Sequence, residues 1–159
     1  KYARPNGMYV TDVWDDIREL TSGYFAGDEP LRVHNGDRAH KQQSPVQLLA
    51  RIILSSTKVG DMVYDPFTGT GTTLVVSKQL GRNSIGTEID PENASLIRER
   101  LKNMRSSDNI QKFRDDYIFT ENLDEIWPIG TKLDLCDSKE IDNDKVSIDF
   151  WLKRRNEII

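Results

Sequence analysis

Apolar side chains between residues 46 and 54 recur at helical spacing, with enough of them to bury much of the helix surface. They are Val46, Leu48, Leu49, Ile52, Ile53 and Leu54. Ser44 stands where an N-cap is expected, and Pro45 suits the first helical position because it has no amide hydrogen to leave unpaired. The pattern predicts a largely buried helix that runs to about Thr57.

Residues 62–64 are apolar, have the length of a short strand, and lead to Asp65. A helical pattern follows, and it begins at Thr72 or Thr73. Gly81 is placed to end this helix, since glycine readily takes the left-handed conformation that follows many helices. The segment therefore predicts a strand, a tight turn and a helix.

A second strand and helix are predicted directly afterwards. Residues 84–89 favour a strand, Asp90 is a suitable N-cap, and Pro91 suits the first position of the next helix. The predicted inner face of that helix carries Ala94, Ile97, Leu101 and Met104. The order strand, helix, strand, helix predicts an α/β fold with an incomplete doubly wound sheet.

The patterns divide the chain into three predicted parts. Residues 1–39 mix aromatic residues with turn formers and predict an irregular N-terminal arm, residues 40–105 predict the α/β core, and residues 106–159 predict a C-terminal extension. Within the extension, residues 148–159 favour a closing helix. Trp127 and Trp151 are interpreted as core anchors.

Charge and cysteine content limit the function classes. The net charge is −4, so the chain lacks the broad positive surface of a protein that binds nucleic acid unaided. Cys136 is the single cysteine, which excludes an internal disulfide, and no apolar stretch reaches the length of a membrane span. We expect a soluble cytoplasmic protein without membrane contact, and, because the chain begins at Lys1, we expect further residues upstream.

The segment Asp65–Thr73, which reads DPFTGTGTT, predicts a nucleotide cradle. A dinucleotide fingerprint would have glycine or alanine where this chain has Leu74, and a phosphate-binding P-loop would contain a lysine that this turn lacks. A cofactor with a nucleoside but no pyrophosphate remains, and S-adenosylmethionine fits. Glu88 is predicted to end the second strand, where a carboxylate accepts hydrogen bonds from both ribose hydroxyls.

Three segments carry a family resemblance: the segment 40–45, which reads HKQQSP, the DPFTGTGTT turn, and Gly86-Thr87-Glu88. In this order and spacing they resemble the amino-directed DNA methyltransferases, which modify the exocyclic amine of adenine or cytosine, in the subgroup whose catalytic motif precedes the cofactor motif. The segment 12–15 is also similar to a short Val-Trp segment of that family. The resemblance implies a partial Rossmann-like, S-adenosylmethionine-dependent methyltransferase fold.

The resemblance also implies the site residues. Those expected to bind the cofactor are Gln43, Ser44, Asp65, Phe67, Gly69, Gly71, Thr72, Glu88 and Ile89. The turn residues would surround the methionine part, Glu88 would hold the ribose, and Ile89 would flank the adenine. Gln43 and Ser44 would face the methionine carboxylate at a helix N-terminus. The family often has lysine where this chain has Ser44.

The catalytic motif of that family, Asp/Asn/Ser-Pro-Pro-aromatic, does not occur in this sequence. None of the six prolines is adjacent to another, and the Asp65-Pro66-Phe67 segment already belongs to the turn. No catalytic residue is therefore predicted here. No metal site is predicted either, because His34, His40 and Cys136 have no recognised metal-site spacing. We expect the cofactor-binding part of a DNA methyltransferase, inactive alone, which reaches DNA through a missing or a partner portion. A separate catalytic half or a homo-oligomer is the expected partner. A non-catalytic cofactor-binding or regulatory subunit is the alternative, and an RNA or small-molecule methyltransferase is a lesser one.

Overall fold

Two parallel strands and four α-helices form the part of the chain that the computed structural model describes, which is residues 12–20, 27–33 and 35–129. The α-helices are α1 (Val46–Ser56), α2 (Thr72–Gln79), α3 (Pro91–Lys102) and α4 (Leu123–Ile126), and the strands are β1 (Met62–Asp65) and β2 (Asn83–Gly86). Two 3₁₀ helices, Ser106–Asp108 and Ile110–Tyr117, separate α3 from α4. Both lie in the predicted C-terminal extension.

The two strands pair in parallel, with Tyr64 opposite Ile85 and Asp65 opposite Gly86. Helix α2 connects them, so the carboxyl ends of both strands lie at the same edge of the sheet. The mixed helix and strand order and the small parallel sheet agree with the predicted α/β fold. The predicted second strand, 84–89, was three residues too long at its end, because β2 stops at Gly86 and the chain then turns toward the end of β1.

Helix α1 begins one residue later than the sequence predicts. Pro45 has an extended backbone with ψ 141° and is the N-cap, and Ser44 makes no capping hydrogen bond. The first helical amide, that of Val46, instead donates to Oε1 of Glu29 at 2.6 Å. The N-cap assigned to Ser44 was therefore wrong, since a carboxylate 17 residues upstream takes that position in space.

Two of the predicted helix ends are confirmed. Gly81 has φ +72° and follows α2, where its amide donates to the Lys78 carbonyl and the Arg82 amide donates to that of Ser77. At the start of α3 the Asp90 side chain accepts a hydrogen bond from the Glu92 amide at 2.9 Å. Both signals are local in sequence, which is why the sequence alone identifies them.

The main apolar core lies between α1, α2 and the segment after α3. Its fully buried members are Val46, Ala50, Ile53, Val76, Leu80, Ile110 and Trp127. The Trp127 ring meets Tyr117 edge to face with centroids 5.4 Å apart, so its predicted role as a core anchor is confirmed. Trp151 and the predicted helix 148–159 lie outside the described residues.

Within the described part of the chain, one face of the sheet is covered and the other is open. Helix α2 packs against both strands on the covered face. Met62, Tyr64 and Ile85 are large apolar residues that alternate out of the strands and are exposed. Among the described residues, no helix has the length and apolar character needed to cross a membrane.

Candidate cofactor site

The predicted cradle lies where β1 and β2 end and α2 begins. Asp65, the last residue of β1, accepts a hydrogen bond from the Phe67 amide at 3.0 Å through Oδ1. Its Oδ2 accepts another from Thr73 Oγ1 at 2.5 Å. Asp65 thus fixes both ends of the turn, and the Thr68 hydroxyl adds a hydrogen bond to the Thr87 carbonyl at 3.0 Å.

Glu88 reaches from the end of β2 to the glycine turn. Its Oε2 accepts a hydrogen bond from the Gly69 amide at 2.7 Å, and its Oε1 accepts one from the Asp90 amide at 2.9 Å. A carboxylate has about four acceptor positions, so capacity for about two further donors remains. The structure therefore brings the predicted ribose acceptor against the predicted cradle, although Glu88 lies two residues beyond the strand rather than at its end.

Gly71 and Gly86 allow the turn to pack closely. Gly71 is the N-cap of α2 with φ +79°, and a Cβ there would lie 2.9 Å from Cγ1 of Ile97 on α3. A Cβ on Gly86 would lie 2.4 Å from the Thr68 hydroxyl oxygen. Both positions are closed to side chains because neighbouring elements approach the backbone itself.

The first turn of α2 carries no side-chain cap. Thr72, the first residue of the helix, is buried, and its hydroxyl accepts a hydrogen bond from Arg100 at 3.1 Å. An uncapped helix N-terminus offers amide donors and a partial positive charge to a bound ligand. The N-terminus of α2 therefore supplies donors, while Glu88 supplies acceptors.

Gln43 and Ser44 have different positions at the start of α1. The buried Gln43 side chain accepts a hydrogen bond from the Leu31 amide at 2.8 Å and donates one to the Glu29 carbonyl at 2.9 Å. The Ser44 side chain is exposed. Gln43 therefore holds the arm against α1, whereas Ser44 remains accessible.

The Glu29 carboxyl is the anionic group already present at the N-terminus of α1. Burial raises its pKa above the ordinary value of 4.5, and the hydrogen bond from the Val46 amide only partly offsets that effect. Sequence reasoning missed this residue because it lies in an irregular segment with no helical or strand period. Only its acidic character, which suits a helix N-terminus, could have suggested it.

Two of the predicted site residues are open to solvent. Phe67 is 89% exposed and Ile89 is 75% exposed, each beside the edge where the strands end. Exposed apolar groups of this size beside a polar cradle suit contact with an apolar or aromatic part of a ligand. His40 is also near the turn, since its Cε1 would lie 4.0 Å from a Cβ built on Gly69.

Sequence reasoning missed a buried ion cluster behind the turn. Arg100 donates to both carboxylate oxygens of Asp108, and Arg105 does the same. Burial opposes ionisation of Asp108, but the hydrogen bonds from the two arginines outweigh it, so its pKa lies below the ordinary 3.8. Arg100 lies three residues after buried Ile97, which is the one signal in the sequence that points to it.

No group of three or more metal-ligating side chains occurs among the described residues. The described carboxylates near the turn are each engaged with backbone amides or hydroxyls. Cys136 lies outside the described residues.

Comparison with known proteins decides the family. A family model described as "DNA methylase" matches residues 1–99, which is more than half of the chain. This chain belongs to the DNA methylase family. The predicted resemblance to amino-directed DNA methyltransferases is thereby confirmed, and the family match includes the N-terminal arm as well as the glycine turn.

Three restriction-modification methyltransferases are similar to this member of the family. Type II methyltransferase M.HinfI from Haemophilus influenzae is 43% identical over 83 residues, 52% of this chain and 23% of the relative. M.BamHI from Bacillus amyloliquefaciens is 42% identical over 99 residues, 62% and 20% of the two chains. M2.DpnII from Streptococcus pneumoniae is 42% identical over 94 residues, 56% and 35%. The matched region thus spans between a fifth and about a third of each relative's length.

Proposed function

We propose that this chain is the S-adenosylmethionine-binding portion of a DNA methyltransferase that acts on the exocyclic amine of adenine or cytosine. The hydrogen bond between the Gly69 amide and the Glu88 carboxylate carries the proposal. It supports a single cradle built from the ends of both strands, as in Rossmann-like folds. In this proposal residues 40–105 form the cofactor-binding core, residues 1–39 the arm, and residues 106–159 an extension.

The donors and acceptors of the cradle fit a nucleoside attached to an amino acid. Glu88 keeps acceptor capacity for the ribose hydroxyls, and the exposed Ile89 lies next to it for the adenine ring. The turn from Asp65 to Thr72 would enclose the methionine part, with Phe67 over it. The exposed Ser44 hydroxyl would face the methionine carboxylate, and Gln43 would hold that segment through the arm.

S-adenosylmethionine supplies a methyl group on a sulfonium centre that an amine can attack. The residues of this chain would bind and orient that group. Asp65 keeps the turn closed through Thr73, and Glu88 joins the turn to the segment after β2. Alignment and exclusion of water would then contribute most of what the cradle adds to the reaction.

The acceptor side of the reaction would lie outside this chain. The sequence contains no adjacent prolines, so it lacks the Pro-Pro-aromatic motif that holds an extruded base. The matched region is at most about a third of the length of the similar methyltransferases, which supports a larger functional unit. DNA would be bound by that other portion, in agreement with the acidic charge of this one.

The open face of the sheet supports association with such a portion. Met62, Tyr64 and Ile85 expose apolar surface on the face of the two-stranded sheet that α2 does not cover. A catalytic half that adds strands or helices here would bury that surface. Self-association would bury it as well, and sedimentation of the chain alone and with its upstream sequence separates the two.

A methylation assay tests this function. The chain and the longer product of its complete reading frame are each incubated with labelled S-adenosylmethionine and unmethylated DNA. We expect transfer to an exocyclic amine by the longer product and none by the chain alone. Methyl transfer by the chain alone would contradict the proposal that another portion holds the target base. Failure of both proteins to bind S-adenosylmethionine or to transfer its methyl group would contradict the proposed function.

A cofactor-binding or regulatory subunit without chemistry is the second candidate. The absence of adjacent prolines favours it if the complete reading frame also lacks the catalytic motif. In that case the longer product would bind S-adenosylhomocysteine but transfer no methyl group unless a partner chain is added. The same assay therefore separates the two candidates.

A further inference from the structure

The buried guanidinium of Arg100 connects the glycine turn to the ion cluster behind it. Nη1 donates to the Thr70 carbonyl at 2.8 Å and to Thr72 Oγ1 at 3.1 Å. Nε and Nη2 donate to Asp108 at 3.1 and 2.7 Å. The guanidinium thus joins two points of the turn to a carboxylate on a different segment, and no water-exposed surface intervenes, since the Arg100 side chain is only 1% exposed.

Asp108 holds this guanidinium in one orientation. Its carboxylate is fully buried and accepts hydrogen bonds from both Arg100 and Arg105. A planar guanidinium bound at two nitrogens by one carboxylate cannot rotate without breaking both hydrogen bonds. The remaining nitrogen, Nη1, is therefore directed at the turn.

The Thr70 carbonyl, which Arg100 contacts, lies in the conformationally most permissive part of the turn. Thr70 lies between Gly69 and Gly71, which have φ of +56° and +79°. Two glycines separated by one residue allow many backbone conformations. A ligand that binds only one of these conformations loses affinity, because ordering the turn costs conformational entropy. The Arg100 hydrogen bond to the carbonyl between them removes much of that freedom.

We propose that Arg100 is a positioning residue for cofactor binding. Held by Asp108, it fixes the Thr70 carbonyl and the start of α2 so that the turn and the first amides of α2 have their binding arrangement before the cofactor arrives. This inference rests on the proposed function of the turn as a cofactor cradle. Arg100 itself is buried behind the turn and does not face the cradle.

The variant Arg100→Lys tests this role, because lysine keeps the charge beside Asp108 but cannot span both Asp108 and Thr70. We expect S-adenosylhomocysteine to bind about tenfold more weakly, comparable with the loss of one charged hydrogen bond. In the free protein, the amides of Gly69 and Gly71 should exchange hydrogen faster while those of β1 and β2 keep their protection. Both measurements compare the parent and Arg100→Lys under conditions in which the same fraction of each protein is folded.

Two control variants share features of Arg100 without its contact to the turn. Arg98→Lys changes an exposed arginine on the same helix. Arg105→Lys changes the other arginine on Asp108, which contacts the arm at Asp28 and Glu29 rather than the turn. Both controls should retain the parent's affinity within about twofold and the parent's exchange at Gly69 and Gly71.

The outcomes separate this inference from the proposed function. Unchanged affinity and unchanged amide exchange in Arg100→Lys would overturn the positioning role. If the parent does not bind S-adenosylhomocysteine, the proposed function fails, and the exchange of the turn amides still decides whether Arg100 orders the turn. Should Arg100→Lys not fold, the double variant Arg100→Gln with Asp108→Asn removes both buried charges together. Unchanged affinity and unchanged amide exchange in this double variant would likewise overturn the positioning role.

Discussion

The Gly69 amide donates a hydrogen bond of 2.7 Å to the Glu88 carboxylate, 19 residues away in the sequence. The contact joins the turn after β1 to the segment after β2, which the strands bring to one edge of the sheet. Because Glu88 also accepts from the Asp90 amide, its side chain is held on both sides. The fold itself therefore fixes the acceptor group of the proposed cradle.

The variant Glu88→Gln should weaken S-adenosylhomocysteine binding by about ten- to a hundredfold, because a neutral amide has one acceptor oxygen instead of two and no charge. Calorimetric titration measures the affinity. Glu92→Gln is the matched control, since Glu92 is an exposed acid on the first turn of α3. Equal affinities of the parent and Glu88→Gln would contradict the role assigned to Glu88.

The variant Gly71→Ala should destabilise the fold more than Gly36→Ala does. Both glycines have positive φ, of +79° and +87°, which costs an alanine about 1 kcal/mol. Only at Gly71 does the new Cβ meet Ile97, at 2.9 Å, and such overpacking costs about 1–3 kcal/mol more. Chemical denaturation of both variants measures the difference, and equal losses would show that α3 does not pack tightly on the turn.

Local signals explain most of what the sequence predicts correctly. Asp90 and Gly81 mark helix ends through their own conformational preferences, and the glycine turn follows from residues adjacent in the chain. The errors occur where the decisive partner is distant. Glu29 replaces Ser44 as the group that binds the first amide of α1, and Gly69 draws Glu88 away from a continued strand.

The buried cluster behind the turn was beyond prediction for the same reason. An arginine on a mostly polar helix looks like a solvated residue, and nothing adjacent to Arg100 identifies Asp108 as its partner. Burial of such a pair becomes favourable only when the three-dimensional arrangement supplies all the hydrogen bonds. The site residues that the structure adds are thus those that act through long-range contacts.

The stability that Asp108 contributes should depend on pH. Because its pKa is lowered in the folded state, that contribution is present above about 3.8 and is lost as the pH falls through the lowered value. Asp108→Asn should be less stable than the parent by about 3 kcal/mol near neutral pH, since it leaves two arginines without their anion. Denaturation from pH 7 to pH 2 should show that difference shrinking, whereas the exposed Asp116→Asn should show little difference throughout. A difference independent of pH would contradict the ion cluster.

Glu29 should show the opposite dependence. Its pKa is raised in the folded state, so its favourable contribution is present below the ordinary 4.5 and is lost as the pH rises through the raised value. The amide side chain of the Glu29→Gln variant would still accept the Val46 amide hydrogen without carrying a charge, so this variant should gain stability relative to the parent as the pH increases. The exposed Glu125→Gln serves as control. If the parent instead becomes more stable relative to Glu29→Gln as the pH rises, the prediction is wrong. The helix N-terminus would then stabilise the Glu29 carboxylate by more than burial destabilises it.

The central claim is that this chain binds the methyl-donor cofactor through the cradle at the ends of β1 and β2. Calorimetric titration of the folded chain with S-adenosylhomocysteine tests it most directly. We predict saturable binding at one site per chain. A folded chain that shows no binding at ligand concentrations up to about 1 mM would contradict the account.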